Sequence, residues 1–398
     1  MQIQVNDPEQ FGFSTRRLER INGVMQHYID QEKLAGIVSL VARRGSVVHL
    51  EKFGVQDFAS GKPVEFDTIF RFYSMSKPIT SAALMMLYEE GRFQLDDPVS
   101  RFLPEFKETK VWAGEDELAD LNRPITIRHL LTHTAGLSYG GFEETGVPVD
   151  KLYDEAGFFD EGVDTAEMVR RIAALPLAYQ PGQVWHYSMA TDVIGYLIQV
   201  IAGMPFDAFL QERILGPLGM VDTDFYVPAE KLDRLAEVYS PSSDGLEPTD
   251  TAIAGDFTKP QSVLLGGSGL VSTASDYMRF CQLMLNGGAL DGVRLLGRKT
   301  VELMTANHLP DGLLPIGMGP DVMRGYGFGL GFRVLMDVAQ SGMLGSVGVY
   351  RWGGWASTIF FIDPQEELIA MLLLQLIPSG HYPIAEQFEV LVYQALVR

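Results

Sequence analysis

The sequence predicts an α/β (α+β) protein, with a mostly antiparallel sheet flanked by helices and a separate helical lobe. Both ends of the chain carry apolar runs that follow one another through short turns, which is typical of β-hairpins. Residues 93–261 instead show helical spacing and turn clusters without strand alternation. Successive hairpins argue against a doubly wound parallel sheet. We therefore expect a discontinuous α/β lobe from residues 1–92 and 262–398, and a helical lobe from residues 93–261.

Near the start of the chain the sequence predicts one helix and one hairpin. Ser14 is a good helix cap, and the apolar spacing over residues 15–33 is typical of an amphipathic helix that ends before Gly36. The apolar runs 37–42 and 47–53 follow, joined by an Arg-Arg-Gly-Ser turn. This pattern predicts two antiparallel strands.

The next stretch, residues 72–78, reads Phe-Tyr-Ser-Met-Ser-Lys-Pro and precedes a long apolar run that ends at Gly91. We expect a helix, because Pro78 is tolerated in a first helical turn and glycine is a common stop. Ser74 and Lys77 are three residues apart at its start, so their side chains share one face. A serine there can act as a nucleophile with a neutral lysine as its base. Alternatively, Ser74 caps the helix and Lys77 is solvated.

The remaining elements are predicted from their hydrophobic spacing. In the middle of the chain, helices are expected at Ile127–Leu131, Thr165–Ala174, Ala190–Ile201 and Phe206–Ile214. Toward the C-terminus we expect a helix capped near Ser272 or Thr273, strands at Tyr326–Leu335, Val347–Arg351, Ser357–Ile362 and Leu368–Leu374, and a final helix at Ile384–Val397.

The composition is that of a globular protein with a strong acidic excess. The chain has 398 residues and a formal net charge of −20, which disfavours nucleic acid and anionic membrane surfaces as partners. The single cysteine, Cys281, lies in an apolar stretch, so a buried thiol is expected and an internal disulfide is not. No signal-peptide pattern or membrane-spanning run is seen. We therefore expect a cytoplasmic protein, and its oligomeric state stays open.

Ser138 competes with Ser74 for the role of nucleophile. It lies in Gly-Leu-Ser-Tyr-Gly (136–140), which matches the Gly-x-Ser-x-Gly elbow of α/β-hydrolases. That elbow needs a strand before the serine and a helix after it. Here residues 127–134 are predicted to be a short helix and residues 141–144 a loop. Ser138 is therefore the less favoured candidate.

Three histidines are candidates for a role in chemistry. His129 and His133 have the i, i+4 spacing of a metal-binding pair, but no glutamate lies between them and no third ligand is evident. Packing or hydrogen-bonding roles are favoured instead. His186 precedes Tyr187, and a Ser–His–Asp triad stays open because triads are recognised by geometry. No nucleotide-binding glycine pattern is found. We expect neither a metal nor a cofactor.

Two further stretches could contribute to a site. Tyr187 comes just before a predicted helix, and a phenol close to a lysine ammonium can exchange protons with a serine hydroxyl. Residues 351–355 read Arg-Trp-Gly-Gly-Trp, and two glycines between apolar strands let another backbone or a substrate approach closely. Taken separately, a structural tyrosine and a hairpin turn are the favoured explanations.

Taken together, these stretches resemble the motifs of serine β-lactamase-like enzymes, and more closely those of family VIII carboxylesterases, relatives of class C β-lactamases. The three motifs, in chain order, are Ser74-Met75-Ser76-Lys77, Tyr187-Ser188 and Trp352-Gly353-Gly354. Supporting stretches at residues 129–137, 214–220 and 269–273 agree. The resemblance extends from about residue 14 to the C-terminus.

The resemblance implies a β-lactamase-like fold with the active site between the two lobes. It implies that Ser74 is the acylated nucleophile and that Lys77 and Tyr187 share the base and acid roles. The backbone N–H groups of Ser74 and Trp355 would form the oxyanion hole. The implied substrate-binding residues are Trp352, Gly353, Gly354 and Met189.

Two departures from the lactamase pattern bear on the substrate. Lactamases carry Lys-Thr-Gly as the third motif, and its lysine helps recognise a substrate carboxylate; here Trp352 takes that place. Lactamases also carry an asparagine two residues after the tyrosine, where this chain has Met189, which cannot donate a hydrogen bond. Both changes, together with the net charge, favour a neutral ester over an anionic amide.

The sequence therefore predicts a serine carboxylesterase that hydrolyses small neutral carboxylic esters through an acyl-enzyme on Ser74. The alternatives on the same scaffold are an acyltransferase and a β-lactamase or D-amino-acid peptidase. A catalytically silent binding protein is the third possibility, and the intact Ser74, Lys77 and Tyr187 set argues against it.

Overall fold

An eight-stranded antiparallel sheet lies at the centre of the fold in the computed structural model, which describes residues 3–114, 117–141, 147–243, 245–249, 256–319 and 321–398. The strands are β1 (Gly36–Arg43), β2 (Ser46–Asp57), β3 (Lys62–Pro63), β4 (Phe70–Arg71), β5 (Val111–Gly114), β6 (Glu117–Ala119), β7 (Tyr239–Ser242), β8 (Gly245–Pro248), β9 (Val271–Ser272), β10 (Ala289–Leu290), β11 (Val293–Arg294), β12 (Ile316–Met318), β13 (Asp321–Met323), β14 (Tyr326–Phe328), β15 (Arg333–Leu335), β16 (Tyr350–Gly353), β17 (Ile359–Asp363) and β18 (Leu368–Leu373).

The α-helices carry most of the remaining regular structure. They are α1 (Thr15–Leu18), α2 (Arg20–Asp30), α3 (Ser76–Glu89), α4 (Ile127–Leu131), α5 (Asp150–Asp154), α6 (Thr165–Ala174), α7 (Ala190–Ala202), α8 (Phe206–Leu210), α9 (Gly216–Leu218), α10 (Ala274–Leu285), α11 (Arg298–Met304), α12 (Val338–Ser341) and α13 (Ile384–Tyr393).

The two ends of the chain meet in the large sheet. Its strand order is β14-β15-β16-β17-β18-β1-β2-β3, and β1 pairs antiparallel with β18 from Val38 opposite Leu373 to Arg43 opposite Leu368. The N-terminal hairpin β1–β2 is thus joined edge to edge to the C-terminal hairpin β17–β18. The mostly antiparallel sheet that the sequence predicted is confirmed.

Helices cover both faces of this sheet. Phe360 and Phe361 are adjacent on β17, so their side chains point to opposite faces. Phe360 packs against Tyr277 of α10 at 5.1 Å between ring centroids, and Phe361 stacks on Tyr393 of α13 at 5.5 Å. The sheet is therefore buried between α10 on one side and α13 on the other.

The first predicted helix is interrupted and shorter than expected. It divides at Glu19 into α1 and α2, and α2 ends at Asp30 because Glu32 adopts a left-handed conformation with φ of 52°. Ser14 makes no side-chain cap; the carboxylate of Glu9 accepts the N–H of Thr15 instead, at 2.8 Å. Gly36 consequently opens β1 and does not end the helix.

The predicted strand Tyr326–Leu335 is wrong as a single element. It forms the two short strands β14 and β15, which pair with each other. Gly331 lies in the turn between them at φ of 93°, where a Cβ atom would come within 2.2 Å of Ser81 Oγ. The chain turns there so that its backbone can pack closely against α3.

The middle of the chain is rich in helices, as predicted. Helices α4 and α6 have the predicted bounds, α7 extends by one residue to Ala202, and α8 continues after Leu210 as a π-helical turn over Gln211–Leu215. Two small ribbons, β5–β6 and β7–β8, were not indicated by the sequence pattern. The predicted loop residues 142–144 lie outside the described residues. The division into two lobes at residues 92 and 261 stays a prediction.

Among the described residues, no single helix is both long and apolar enough to cross a membrane. Helix α7 and the segment Phe206–Leu218 pass such a test only as a pair, and they are bent by 81° at the break between them.

Candidate active site

Ser74 lies in a tight turn immediately before α3. The turn spans Tyr73–Met75 and has 3₁₀ geometry, and Met75 occupies the N-cap position without a side-chain cap. Tyr73 has a φ of 43°, an uncommon value for a residue that carries a Cβ atom. The structure therefore does not use Ser74 as a helix cap. Strained backbone next to a reactive group is a common feature of active sites.

Lys77 is buried in the first turn of α3, with only 1% of its surface exposed. Its Nζ atom donates hydrogen bonds to Ser74 Oγ at 3.0 Å, to Tyr139 OH at 3.0 Å and to the carbonyl oxygen of Gly267 at 2.9 Å. The predicted pairing of Lys77 with Ser74 is thus present, and the alternative of a solvated lysine is excluded.

Tyr187 approaches Ser74 from the loop before α7. Its hydroxyl donates to Ser74 Oγ at 2.7 Å, and Lys77 Nζ lies 4.6 Å from the centre of its ring. The ring also packs against His133 at 4.8 Å and against Trp352 at 5.4 Å between centroids. Ser74 Oγ therefore has two groups capable of proton transfer within hydrogen-bonding distance.

Three further residues complete the surroundings of Lys77, and sequence reasoning did not identify them. Tyr139 and Gly267 hydrogen-bond to Lys77 directly, while Asp192 accepts from the N–H of Gly267 at 2.8 Å and from Tyr139 OH at 3.3 Å. A signal was available for Asp192, because it is a carboxylate in the first turn of the otherwise uncharged helix α7, five residues after Tyr187.

The third motif forms one wall of the site. Gly354 follows β16, and a Cβ atom there would come within 2.4 Å of both the carbonyl oxygen of Phe72 and Thr358 Oγ1. The prediction that these glycines permit close approach of another backbone is therefore confirmed. Trp355 packs edge-on against Tyr73 at 5.6 Å, which brings it beside the Ser74 turn. Its role in an oxyanion hole stays a prediction.

Two cavities divide the predicted substrate-binding residues between them. The first has a volume of about 230 Å³ and contains Ser74, Tyr187 and the third-motif residues 352–355. The second has a volume of about 450 Å³ and contains Met189, together with Tyr139, Asp192 and the aromatic residues at 158–159. The nucleophile and Met189 therefore line different cavities, a separation that their spacing in the sequence did not indicate.

The charged residues that line the Ser74 cavity include Arg333, Arg351 and Glu386. Trp352 and Arg351 are neighbours on β16 and point to opposite faces, so Arg351 is directed to the buried Glu389 of α13, which it meets at 2.5 Å. Burial and then the nearby charge of Arg351 lower the pKa of Arg333 to about 10, while Glu389 and Glu386 oppose this. Both cations thus face α13.

Ser138, the competing nucleophile, is completely buried. Its hydroxyl donates to Asp150 Oδ1 and accepts the N–H of Gly140 at 3.0 Å. The residues before it form α4, a helix, and not the strand that an α/β-hydrolase elbow needs. Ser138 therefore has a role in packing, and it does not line the cavity that contains Ser74.

Hydrogen bonds and ring packing surround the three histidines that the sequence singles out. His129 closes a capping box with Thr126 at the start of α4, and burial lowers its pKa to about 4. His133 lies just beyond that helix, so the two are not a helical pair, and burial followed by the charge of Lys77 keeps its pKa well below the usual value. His186 packs edge-on against Tyr179 at 5.2 Å. The described residues contain no cluster suited to a metal ion.

Cys281 is also as predicted. It lies in α10, is completely buried, and burial raises its pKa well above the usual value, which makes the thiol inert.

The chain matches known proteins over most of its length. The family model described as Beta-lactamase matches residues 21–392. Protein Rv1367c of Mycobacterium tuberculosis is 37% identical over 358 residues, which cover 88% of this chain and 88% of that protein. Esterase EstB of Burkholderia gladioli is 33% identical over 386 residues, which cover 92% of this chain and 93% of that protein.

Among solved structures, the fold is similar to that of EstCE1, described as a hydrolase with promiscuous acyltransferase activity. The TM-score is 0.81 at 30% identity, with 94% of this chain and 99% of that chain covered. This similarity confirms the β-lactamase-like fold expected from the motifs. With a family match that begins in α2 and ends in α13, the chain belongs to the Beta-lactamase family.

Proposed function

We propose that the protein is a serine carboxylesterase that hydrolyses small neutral carboxylic esters through an acyl-enzyme on Ser74. The observation that carries this proposal is the position of Ser74 Oγ, 2.7 Å from Tyr187 OH and 3.0 Å from Lys77 Nζ, in a cavity open to a ligand. The esterase activity in the name of EstB, a relative over most of the chain, supports it.

Acylation requires a proton to leave Ser74 as its oxygen attacks the ester carbonyl carbon. Lys77 and Tyr187 are the acceptors in contact with that oxygen, and they form one hydrogen-bonded unit with it. The new Ser74 Oγ–carbon bond gives a tetrahedral oxyanion. As the carbon–alkoxide bond breaks, the same unit returns the proton to the leaving alcohol, so that no net proton is lost.

Deacylation reverses these roles. A water molecule takes the place of the alcohol and loses a proton to the Lys77–Tyr187 unit as it attacks the acyl carbon. The bond to Ser74 Oγ then breaks, Ser74 regains its proton, and the carboxylic acid leaves. The backbone N–H groups of Ser74 and Trp355 are the proposed donors to the oxyanion in both steps.

The preference for a neutral ester is supported by how charge is arranged in the Ser74 cavity. Trp352 presents an aromatic wall toward Tyr187, where a lysine would present a cation. Arg351 is held by Glu389 on the other face of the sheet. A substrate carboxylate beside Trp352 would thus lose its hydration against an aromatic ring instead of meeting a cation at that position.

A second candidate function is transfer of the acyl group to an alcohol. It is favoured by the acyltransferase activity in the description of EstCE1. β-Lactamase or D-amino-acid peptidase activity is a further alternative on this scaffold. All three share acylation of Ser74 and differ in the substrate or in what attacks the acyl-enzyme.

A panel of p-nitrophenyl esters of rising acyl length, with a chromogenic cephalosporin beside it, tests the proposal. We expect hydrolysis of short neutral esters by the wild type, and none above background by Ser74→Ala. A p-nitrophenyl hemisuccinate should be a poorer substrate than the butyrate. Cephalosporin turnover without ester turnover would contradict the esterase assignment, and ester products formed in the presence of an added alcohol would favour the transferase.

A further inference from the structure

Asp192 is a buried carboxylate next to the proposed catalytic groups that the mechanism above does not use. It lies in the first turn of α7, with only 1% of its surface exposed. A buried carboxylate without compensation is costly, so its partners indicate why it is there. Those partners are the same groups that hold Lys77.

Two groups bridge Asp192 and Lys77. The peptide of Gly267 donates its N–H to Asp192 Oδ1 at 2.8 Å, while its carbonyl oxygen accepts from Lys77 Nζ at 2.9 Å. The hydroxyl of Tyr139 lies 3.0 Å from Lys77 Nζ and 3.3 Å from Asp192 Oδ2. The carboxylate and the lysine nitrogen are therefore linked twice, through one backbone unit and one phenol.

The packing around Gly267 leaves no room for a side chain. A Cβ atom at this position would lie 2.8 Å from Asp192 Oδ2 and 2.9 Å from Tyr139 OH. Real Cβ atoms do not approach neighbours so closely, so glycine is required for the two bridges to exist together. The bridging arrangement is thus built into the backbone as well as into the side chains.

Lys77 Nζ has three oxygen acceptors, and an ammonium has three N–H donors. The groups that face it include Ser74 in the turn before α3, Tyr139, Tyr187, the Gly267 peptide and Asp192 on α7. His133, packed behind Tyr187, stays neutral because burial and Lys77 keep its pKa well below the usual value. Of these groups, Asp192 is the carboxylate, and it accepts hydrogen bonds from the N–H of Gly267 and from Tyr139 OH.

Burial raises the pKa of Asp192, and the charge of Lys77 and the Gly267 N–H oppose that rise. The carboxylate and an ammonium at Lys77 therefore stabilise each other.

We propose that Asp192 is a positioning residue, which fixes Lys77 through Gly267 and Tyr139 and stabilises the ammonium that forms when Lys77 receives the proton of Ser74. The proposal rests on the esterase function above. Asp192 acts through its hydrogen bonds with Gly267 and Tyr139. Its action is to set the orientation of Lys77 and the pH at which Lys77 becomes able to accept a proton.

The replacement Asp192→Asn tests this with little change of shape. The amide oxygen still accepts from Gly267 N–H, and the amide nitrogen can donate to Tyr139 OH. Only the negative charge is removed, so the ammonium of Lys77 is less stable and loses its proton at lower pH. The acidic limb of the kcat/KM profile should move to lower pH by about one unit, and kcat on the plateau should fall about 10-fold.

Asp150→Asn is the matched control, because Asp150 is a second buried carboxylate, and it accepts the hydroxyl of Ser138. Its acidic limb should coincide with that of the wild type. Asp192→Glu restores the charge and should move the limb back toward the wild-type position. A purely structural role for Asp192 would lower thermal stability without moving the limb.

The proposal is contradicted if Asp192→Asn melts like the wild type and keeps the wild-type acidic limb to within about 0.2 pH units. If that variant does not fold, the limb is measured for Tyr139→Phe, which keeps the charge and breaks one bridge. A lowered kcat with an unmoved limb supports the proposal, and an unchanged kcat overturns it. Absence of ester hydrolysis by the wild type would instead contradict the proposed function.

Discussion

Ser74 and Ser138 both match sequence patterns of serine hydrolases, and their surroundings differ in every respect that matters for catalysis. Ser74 is partly exposed at a cavity of about 230 Å³, whereas Ser138 is completely buried. Ser74 Oγ contacts Lys77 and Tyr187, which can exchange its proton. The Ser138 hydroxyl donates to the carboxyl group of Asp150 and accepts the N–H of Gly140.

The glycines of the two patterns also serve different purposes. Around Ser138, a Cβ atom at Gly136 would come within 2.0 Å of the carbonyl oxygen of Tyr179, and one at Gly140 would come within 2.3 Å of Asp154 Oδ1. These glycines pack one loop against its neighbours. Gly354, in contrast, lets the third motif approach Phe72, next to the Ser74 turn. A short glycine pattern therefore indicates that the backbone packs closely against another segment. Whether the pattern belongs to an active site depends on which segment that is.

The largest expected effect follows removal of the Ser74 hydroxyl. Ser74→Ala should lower kcat/KM for a short p-nitrophenyl ester by roughly 10⁴-fold or more, because no nucleophile remains to form the acyl-enzyme. Steady-state hydrolysis measures it, with Ser138→Ala as the control. Comparable losses in the two variants would remove the distinction between the two serines.

Replacement of Tyr187 should come next. Tyr187→Phe keeps the ring that packs on His133 and Trp352 but removes the hydroxyl 2.7 Å from Ser74 Oγ. We expect kcat to fall by about 10²–10⁴-fold, the usual range for loss of a proton-transfer group, with little change in KM. A kcat within about twofold of the wild type would exclude Tyr187 from proton transfer.

A smaller loss is expected when the third motif is pushed away from the Ser74 turn. Gly354→Ala places a methyl group against the carbonyl of Phe72, so the Ser74 turn and the motif must separate by a fraction of an ångström or more. We expect kcat to fall about 10-fold, since reacting groups tolerate little displacement. Gly23→Ala, at a glycine of α2 that also lacks a positive φ but where a Cβ atom would meet nothing within 4 Å, should leave kcat unchanged. Equal kcat values for the two variants would argue that the approach of the third motif to the Ser74 turn does not matter for catalysis.

The smallest effect on activity is expected at Ser138. Ser138→Ala removes the donor to the buried carboxyl group of Asp150, and the free energy of unfolding should fall by about 1–3 kcal/mol. The activity of the folded protein should stay within about twofold of the wild type. Urea unfolding and active-site-normalised kcat measure the two quantities. A loss of activity without a loss of stability would revive Ser138 as a functional residue.

The parts of the fold predicted from the sequence are those fixed by local pattern. The hairpin β1–β2 follows from two apolar runs and an Arg-Arg-Gly-Ser turn, and α6 follows from its helical spacing. The predicted bounds of an element are wrong where packing against a distant part of the chain determines where that element ends. Gly331 divides a predicted strand because the chain there presses against Ser81, some 250 residues earlier.

The site shows the same limit. Ser74 and Lys77 are three residues apart, so the hydrogen bond between their side chains could be expected from the sequence. Tyr139, Asp192 and Gly267 come from three separate segments, and their convergence on Lys77 depends on tertiary packing. No spacing rule relates them. Asp192 could have been noticed as the one charged residue of α7, but its link to Lys77 through Gly267 and Tyr139 could not have been predicted.

Covalent labelling tests the central claim most directly. A p-nitrophenyl phosphonate ester is incubated with the protein, and the site of the added mass is located by peptide mass spectrometry. If Ser74 is the nucleophile, we expect one adduct per chain, on the peptide that contains Ser74, and none in Ser74→Ala. An adduct on the peptide that contains Ser138, or labelling of Ser74→Ala at the wild-type rate, would contradict it.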